Sequence, residues 1–273
     1  MSIIKAEKLS YTHRSGRGCP ALHELSFEIR EGEFAVFLGG SGSGKSSLAL
    51  LINALLPVEK GMLTVCGMDC GDEAQCWDIR RSCGLLFQNP DDQFISTYAR
   101  EDLGFAARNF LDEGENIDER VQEALKTVYM SGYADSTPQL LPLAMRQRLA
   151  LASLLVYDPK ILILDAPFSA LDAASADILW EIVNTLRQQG KTVLLMTNDA
   201  EQATAADRVY LLKEGRLLAQ GSPRELLADR KLMDEVGIKP PFTVKVYNDL
   251  LDAGAQLERC PLTIEELVEE VCL

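Results

Sequence analysis

The chain has 273 residues, of which 47% are hydrophobic and 25% are charged; this allows one large α/β domain with a smaller appendage and a core that needs no disulfides. The formal net charge of −14 disfavours direct binding to nucleic acids and to anionic lipid head groups. Apolar stretches such as 161–164 are too short to span a bilayer, and the N-terminus lacks the apolar core of a secretory signal. We therefore expect contact with a membrane only through a protein partner, without direct insertion.

The first third of the chain predicts a strand-rich region that leads into a glycine-rich loop. Residues 3–37 read as strand, loop, strand and strand, and the last is a short apolar run at 34–38. After the glycines, 46–56 has helical character and ends before a proline. Further strands are predicted at 61–67 and 82–87.

Residues 92–156 predict a helical insertion, with helices at 118–130 and 146–156 and no strong strand between them. After it, strands alternate with helices, which implies a largely parallel, doubly wound sheet of the α/β class. The predicted elements there are strand 161–164, helix 173–189, strand 192–197, a short helical stretch at 202–206 and strand 209–212.

From about residue 223 the strand pattern stops. Residues 224–236 and 263–271 read as helices, with a proline-containing stretch at 238–242 between them. We predict a small C-terminal helical module over 223–273.

Four of the seven cysteines lie close together in sequence, as Cys66, Cys70, Cys76 and Cys83. Structural zinc sites usually have two tight pairs of ligands, and these gaps are looser and uneven. With only two histidines in the chain, the pattern favours reduced thiols over a metal site.

The strongest motif is GGSGSGKS at 39–46, which satisfies G-x-x-x-x-G-K-[ST] between a predicted strand and a predicted helix. In such a loop, backbone N–H groups hold the phosphates at the helix N-terminus, the lysine reaches the β- and γ-phosphates, and the serine hydroxyl ligates Mg²⁺. We therefore predict binding of ATP and Mg²⁺. The candidate ATP-binding residues are Gly39, Gly40, Ser41, Gly42, Ser43, Gly44, Lys45, Ser46 and Ser47.

A second acidic element follows the apolar run ILILD at 161–165. Asp165 can hold Mg²⁺ through water, so Ser46 and Asp165 are candidate metal residues. Paired with the phosphate loop, this element predicts a nucleotide site at the end of the sheet.

Further motifs resemble those of the ABC-type ATPases over residues 3 to about 222. Gln88 lies in LFQNPDDQF (86–94), RQRLALA (146–152) opens a helix, and SALD (169–172) follows Asp165. The resemblance implies a P-loop NTPase domain over 1–222, with an antiparallel β subdomain and a helical subdomain at about 92–156. It adds Gln88 as a Mg²⁺ ligand, beside a groove for a membrane partner, and places the adenine-stacking aromatic near Tyr11 and His13. Either residue could equally be an ordinary strand-edge side chain.

The segments ADRVYLLKEGRLLAQGSPREL and GIKPPFTVKVYNDLL resemble the A subunits of energy-coupling-factor transporters, importers of vitamins and of cobalt or nickel ions. This implies a peripheral ATPase on the cytoplasmic face of the membrane. The implied partners are a second ATPase subunit, often in a heterodimer, a transmembrane coupling protein and a substrate-binding membrane protein. The module at 223–273 would then contact the dimer partner, and the substrate would be chosen by another polypeptide.

Three positions depart from the family pattern. Ala166 stands where a glutamate polarises the attacking water, Asn198 stands where a switch histidine belongs, and the signature LSGGQ reads LPLAM at 141–145. Loss of a positioned general base typically costs about 10²–10⁴ in rate, so we expect impaired hydrolysis by this chain. Asp199 is the nearest substitute carboxylate in sequence, but its side chain is expected to point away. A non-hydrolytic regulatory subunit is the alternative, and a soluble ABC protein of repair or translation is disfavoured by the acidic charge.

Overall fold

The computed structural model describes residues 2–13 and 20–272, so most of the loop predicted between the first two strands lies outside the described residues. The strands of the described part fall into two sheets. The strands are β1 (Ser2–Tyr11), β2 (Leu22–Arg30), β3 (Phe34–Gly39), β4 (Leu63–Val65), β5 (Met68–Asp69), β6 (Cys83–Leu86), β7 (Ile161–Asp165), β8 (Thr192–Thr197), β9 (Arg208–Lys213) and β10 (Arg216–Gly221). The helices are α1 (Lys45–Ile52), α2 (Cys76–Ser82), α3 (Ala99–Phe110), α4 (Ile117–Thr127), α5 (Leu143–Leu155), α6 (Ala173–Gln188), α7 (Pro223–Ala228), α8 (Arg230–Val236), α9 (Phe242–Asp252) and α10 (Ile264–Cys272).

The larger sheet has six strands in the order β10-β9-β3-β8-β7-β6. Neighbouring strands from β9 to β6 are parallel, and β10 runs antiparallel to β9. Every residue of β3, β7 and β8 is buried, because both faces of the sheet are covered, one by helices and the other by α1 together with the smaller sheet. Burial on both faces explains their continuous apolar runs. The carboxyl ends of these strands share one edge, where α/β sheets bind ligands.

The smaller sheet has four strands in the order β2-β1-β4-β5, and β1 pairs antiparallel with both neighbours. In β2, Leu25, Phe27 and Ile29 are buried while the residues between them are exposed, as expected for a sheet with one face on the core. Phe27 belongs to the same core cluster as Phe37 of β3 and Tyr210 of β9. The two sheets therefore pack on a common core.

The helical insertion between β6 and β7 comprises α3, α4 and α5, which contact one another. In α4, Val121, Ala124 and Leu125 are buried on one face, the spacing of an amphipathic helix. The side chain of Asn116 caps this helix by accepting a hydrogen bond from the Glu119 amide.

Helices alone follow β10 in the part of the C-terminal region that is described, up to residue 272. A capping box between Ser222 and Glu225 begins α7. The single helix predicted over 224–236 is wrong: it is two helices, because Asp229 leaves the helical conformation and its side chain caps α8 through the Leu232 amide. The chain also contains α2, α3, β10 and α9, which the sequence pattern did not predict.

No helix within residues 2–13 and 20–272 combines the length and the apolar character needed to cross a membrane.

Candidate functional site

The phosphate loop connects the buried strand β3 to α1. Gly42 and Gly44 adopt φ angles of +76° and +101°, which residues with a Cβ atom rarely adopt. A Cβ on Gly44 would also lie 2.8 Å from the Ala21 carbonyl oxygen and 2.6 Å from Leu22 Cδ2. Glycine is therefore required at position 44 for two reasons, its backbone angle and the close approach of β2.

Lys45, the first residue of α1, folds back over the loop. Its Nζ donates hydrogen bonds to the carbonyl oxygens of Gly39 and Gly40, at 2.7 and 2.9 Å, and to Ser43 Oγ at 3.1 Å. Burial lowers the pKa of the Lys45 ammonium, while the nearby Asp165 carboxylate opposes this shift. The ammonium is thus partly desolvated and held where an anion can bind it strongly.

The loop opens into a cavity of about 810 Å³ at the carboxyl edge of the larger sheet. Gly39 and Gly40 are not on its wall; they contribute the carbonyl oxygens that hold Lys45. The wall includes most of the predicted residues, namely His13, Ser41, Gly42, Ser43, Gly44, Lys45, Ser46, Ser47, Gln88, Asp165, Ala166 and Asn198.

The two aromatic candidates differ in position. The His13 ring lines the cavity, and its Nε2 lies 2.9 Å from Ser47 Oγ. Tyr11 lines a smaller neighbouring cavity of about 350 Å³ and packs edge-on against His13, with ring centroids 4.9 Å apart. His13 therefore faces the larger cavity, and Tyr11 packs against the other side of His13.

Three oxygen-bearing side chains of the predicted Mg²⁺ site meet at this cavity. Asp165 ends β7 and is 8% exposed; burial raises the pKa of its carboxyl, while the Ser46 hydroxyl and the Lys45 ammonium oppose the shift. Gln88 follows β6 and, like Ser46, is exposed at the wall. A carboxylate, a hydroxyl and an amide oxygen suit Mg²⁺, which binds through few protein ligands together with water and substrate phosphates.

The four cysteines that lie close together in sequence, Cys66, Cys70, Cys76 and Cys83, form no metal site in the described part of the chain. Among the described residues, no group of three or more His, Cys, Asp or Glu side chains is placed to hold a metal ion. Burial raises the pKa of Cys70 to about 12 and also raises the pKa of Cys83, which keeps these thiols in their unreactive protonated form.

The two positions that depart from the catalytic pattern both lie on the cavity wall. Ala166 adopts a left-handed conformation, with φ +46°, and its amide donates to the Met196 carbonyl oxygen at 2.9 Å. Asn198 follows β8 and is exposed. The wall thus has an alanine methyl and a carboxamide where the family pattern has two ionisable groups.

Asp199 does not supply a replacement carboxylate. Its Oδ1 accepts from the Glu201 amide at 3.0 Å and its Oδ2 accepts from Gln202 Nε2 at 3.2 Å. Its own amide donates to Thr197 Oγ1 at 3.0 Å. These bonds hold the Asp199 side chain within the turn that follows β8, and Asp199 is not on the cavity wall.

The signature segment LPLAM lies at the N-terminus of α5, away from this cavity. Pro142 occupies the N-cap position, and no side chain caps the helix. The first four backbone N–H groups of a helix lack intrahelical partners and are free to bind a ligand. Proline has neither a side-chain hydroxyl nor a backbone N–H. Pro142, in place of the usual serine, therefore leaves this end of α5 with one hydroxyl and one N–H fewer.

Sequence reasoning missed several residues on the wall. They come from the end of the β1–β2 connection and the start of β2, from the segment after Ala166, and from the β9–β10 turn and the start of β10. The missed residues are Pro20, Ala21, His23, Ser169, Glu214 and Arg216.

Comparisons with known proteins agree with this geometry. The family model "ABC transporter" matches residues 22–169. An energy-coupling factor transporter ATP-binding protein EcfA1 of Clostridium novyi (strain NT) is 37% identical, over 92% of this chain and 90% of its own length. The protein of the same name from Bacillus subtilis (strain 168) is 35% identical, over 98% of this chain and 96% of its own.

Two solved structures of ABC transporter proteins also match the fold of this chain. The structure of cbiO1 from Clostridium perfringens, part of the ABC transporter complex cbiONQ, matches with a TM-score of 0.75 and 30% identity over 90% of this chain and 99% of that one. The dimeric ABC transporter cassette MJ0796 matches with a TM-score of 0.74 and 27% identity over 81% of this chain and 99% of that one. The predicted fold class is confirmed. The chain belongs to the family of ABC transporter ATP-binding subunits, among those of energy-coupling factor transporters.

Proposed function

We propose that this chain is the ATP-binding subunit of an energy-coupling factor importer, in which binding and hydrolysis of ATP drive uptake of a vitamin or a metal ion. The observation that carries the proposal is the meeting of Lys45, Ser46, Gln88 and Asp165 around one cavity at the edge of the sheet. Bound Mg²⁺ would neutralise phosphate charge there. Lys45 would exchange its two backbone carbonyl partners for phosphate oxygens, and Ser46, Gln88 and Asp165 would hold the ion.

The nucleotide part of the proposal is tested by binding. Lys45→Ala removes the cation that faces the phosphates, so Mg-ATP is expected to raise the Tm of the wild-type chain and to leave that of the variant unchanged. Lys191→Ala is a matched control, since Lys191 binds Asp158 outside the cavity. An equal rise in Tm for wild type and Lys45→Ala would reject the phosphate loop as the site.

The partner assignment is a separate part of the proposal. We propose that the chain pairs with a second ATPase subunit and binds a transmembrane coupling protein at the cytoplasmic face, with a separate substrate-binding membrane protein attached. Affinity purification of the tagged chain from detergent-solubilised native membranes should recover the second ATPase and both membrane proteins. Recovery of DNA-repair or ribosomal components in their place would support the soluble ABC alternative.

We further propose that this chain hydrolyses ATP poorly by itself. Ala166 offers no carboxylate to polarise water, Asn198 carries no positive charge, and Asp199 is already bonded within its own turn. The phosphate loop and the strand that ends in Asp165 are the Walker A and Walker B motifs of this chain. If each ATP is shared between the Walker motifs of one subunit and the signature of the other, the departures fall on two different sites. Ala166 and Asn198 belong to the site built on this chain's Walker motifs, and LPLAM belongs to the site built on the partner's. An intact partner would then leave each site with one altered half, and turnover would occur mainly at the partner's Walker motifs.

Kinetics of the complex separate a weakened enzyme from a purely regulatory subunit. The double variant Ala166→Glu, Asn198→His should raise the ATPase rate of the assembled complex if the chain is a weakened enzyme. No increase would point to the alternative, a subunit that holds ATP to stabilise the dimer. Steady-state hydrolysis by the purified wild-type chain at the rate of ordinary ABC ATPases would overturn the proposal.

A further inference from the structure

The β9–β10 hairpin is fixed directly against the phosphate loop. Lys213 and Arg216 are paired across a two-residue turn whose central residues, Glu214 and Gly215, have φ angles of +49° and +74°. Two left-handed residues in succession are typical of the type I′ turn, which fits the twist of a tight hairpin. The direction in which Arg216 leaves the turn is therefore set by rigid backbone.

Two hydrogen bonds attach this turn to the nucleotide site. The Gly215 amide donates to the Ser43 carbonyl oxygen at 3.1 Å, and the His23 amide donates to the Gly215 carbonyl oxygen at 2.7 Å. A Cβ on Gly215 would lie 2.4 Å from the Ala21 carbonyl oxygen and 3.1 Å from His23 Cδ2. The hairpin and the phosphate loop are thus in direct contact, and no larger residue than glycine would allow it.

Arg216 and His23 also line the smaller neighbouring cavity together with Tyr11, whereas Asp165, Gln88 and Asn198 do not. They therefore lie on the side of the main cavity that borders Tyr11, away from the γ-phosphate position. Asp165, Gln88 and Asn198 mark the γ-phosphate end, at the carboxyl edge of β7, β6 and β8. His13, bonded to Ser47 just inside α1, marks the other end. The chain's only two histidines, His13 and His23, both line the cavity. The part of a nucleotide that extends beyond its phosphates is therefore expected on the side of the cavity that these residues line.

The charges at this end favour an uncharged group over phosphate. Glu214 lines the same wall beside Arg216, and its carboxylate would repel a triphosphate. The Arg216 side chain is exposed and forms no ion pair with any described residue. Its guanidinium is planar and weakly hydrated, and such a group stacks well on aromatic rings.

We propose that Arg216 binds the purine base of the nucleotide by stacking on it, in the part of the cavity that His13 and His23 also line. This inference rests on the proposed function and adds a base-binding residue to it. The inference also explains how the base could be held without a tyrosine at the adenine position. The imidazole of His13 offers less stacking surface than tyrosine, and the guanidinium of Arg216 adds a second group on which the base can stack.

The test compares ligands with and without a base. Affinity is measured by calorimetry for Mg-ATP and for magnesium tripolyphosphate, in wild type, Arg216→Ala and Arg216→Lys. We expect Arg216→Ala to weaken ATP binding by about 3- to 30-fold and tripolyphosphate binding by less than about twofold. Arg216→Lys keeps the charge but not the plane, so ATP binding should remain weakened.

Other results for the Arg216 variants would overturn the inference. Equal losses for ATP and tripolyphosphate would show that Arg216 binds phosphate, and unchanged ATP affinity would show that it binds nothing; either result overturns the inference. Arg100→Ala, which removes a paired arginine of the helical subdomain, should change neither affinity. If the wild-type chain binds neither ligand, the proposed function itself fails. Retained binding of tripolyphosphate by the Arg216 variants shows that they are folded.

Discussion

Arg146, in the first turn of α5, places its Nη1 3.0 and 2.8 Å from the two carboxylate oxygens of Asp91. Asp91 belongs to a short turn that comes directly after Gln88 and Asn89. Gln93 adds two more bonds from the same segment to α5, through the Ala150 carbonyl oxygen at 2.7 Å and Ser153 Oγ at 2.9 Å. The segment after Gln88 and the helix that begins at LPLAM are therefore joined, so a displacement of one is expected to move the other.

Loss of the Arg146–Asp91 ion pair should loosen this connection. Both side chains are partly exposed, so Arg146→Ala is expected to lower the free energy of unfolding by only about 0.5–1 kcal/mol, and by less at high salt. Urea unfolding at low and high ionic strength measures this. Arg100→Ala removes the more exposed pair with Asp135 and should cost less. A loss that does not depend on salt would show that Arg146 acts through packing.

The backbone of Ala166 should be strained, because its φ is +46° and alanine avoids this region. Ala166→Gly is expected to stabilise the chain by about 0.5–1 kcal/mol and to leave ATP affinity unchanged, as measured by urea unfolding and calorimetry. Ala54, with φ +53° outside the site, should respond alike to Ala54→Gly. Ala106→Gly, inside α3, should instead destabilise by about 1 kcal/mol; destabilisation at position 166 would contradict the strain argument.

The stability of the nucleotide-free chain should depend on the ionisation of Asp165. Burial raises the pKa of this carboxyl above its ordinary value, so the ionised form is less favourable in the folded chain than in the unfolded one. Asp165→Asn should therefore be more stable than wild type at neutral pH without Mg²⁺. The difference should shrink as the pH falls through the raised pKa, because wild type then binds the proton and loses the penalty. Urea unfolding across this pH range measures it.

Asp172 provides a control, because the pKa of its carboxyl is shifted in the opposite direction to that of Asp165. Hydrogen bonds from the Ser175 amide and hydroxyl lower the pKa of its carboxyl, so its ionised form is favoured by folding. Asp172→Asn should reduce stability at neutral pH, with the effect lost as the pH falls through the lowered pKa. Parallel pH profiles for the two variants would contradict the assignment of Asp165 to a buried, destabilised charge.

The turn after Asn198 is connected to the C-terminal helices through Glu201 and Phe242. Pro241 occupies the N-cap position of α9 and provides no side-chain cap, and the Phe242 amide donates instead to the carboxylate of Glu201. Glu201→Ala should speed hydrogen exchange in the first turn of α9, on the order of fivefold, while Glu265→Ala in α10 should not. Unchanged exchange in α9 would show that the Glu201 contact does not hold this helix.

Residue types and their spacing were sufficient to identify the phosphate loop, the long buried strands and the three departures from the family pattern. Each is local: the loop at 39–46 is a contiguous motif, and β7 and β8 are continuous apolar runs that burial on both faces requires. The meeting of Ser46, Gln88 and Asp165 could also be anticipated, because the carboxyl ends of parallel strands share one edge. The break at Asp229 and the helices α3 and α9 could not, since their local signals were weak.

Which remote segments meet at the cavity depended on three-dimensional packing. Arg216 and His23 reach it because the β9–β10 turn and β2 pack against the phosphate loop, through contacts that require glycine at 44 and 215. Asp199 is excluded as a substitute carboxylate because its oxygens are already bonded within its turn. These facts depend on strand register and on close packing between segments far apart in the chain, which residue preferences and spacing do not encode.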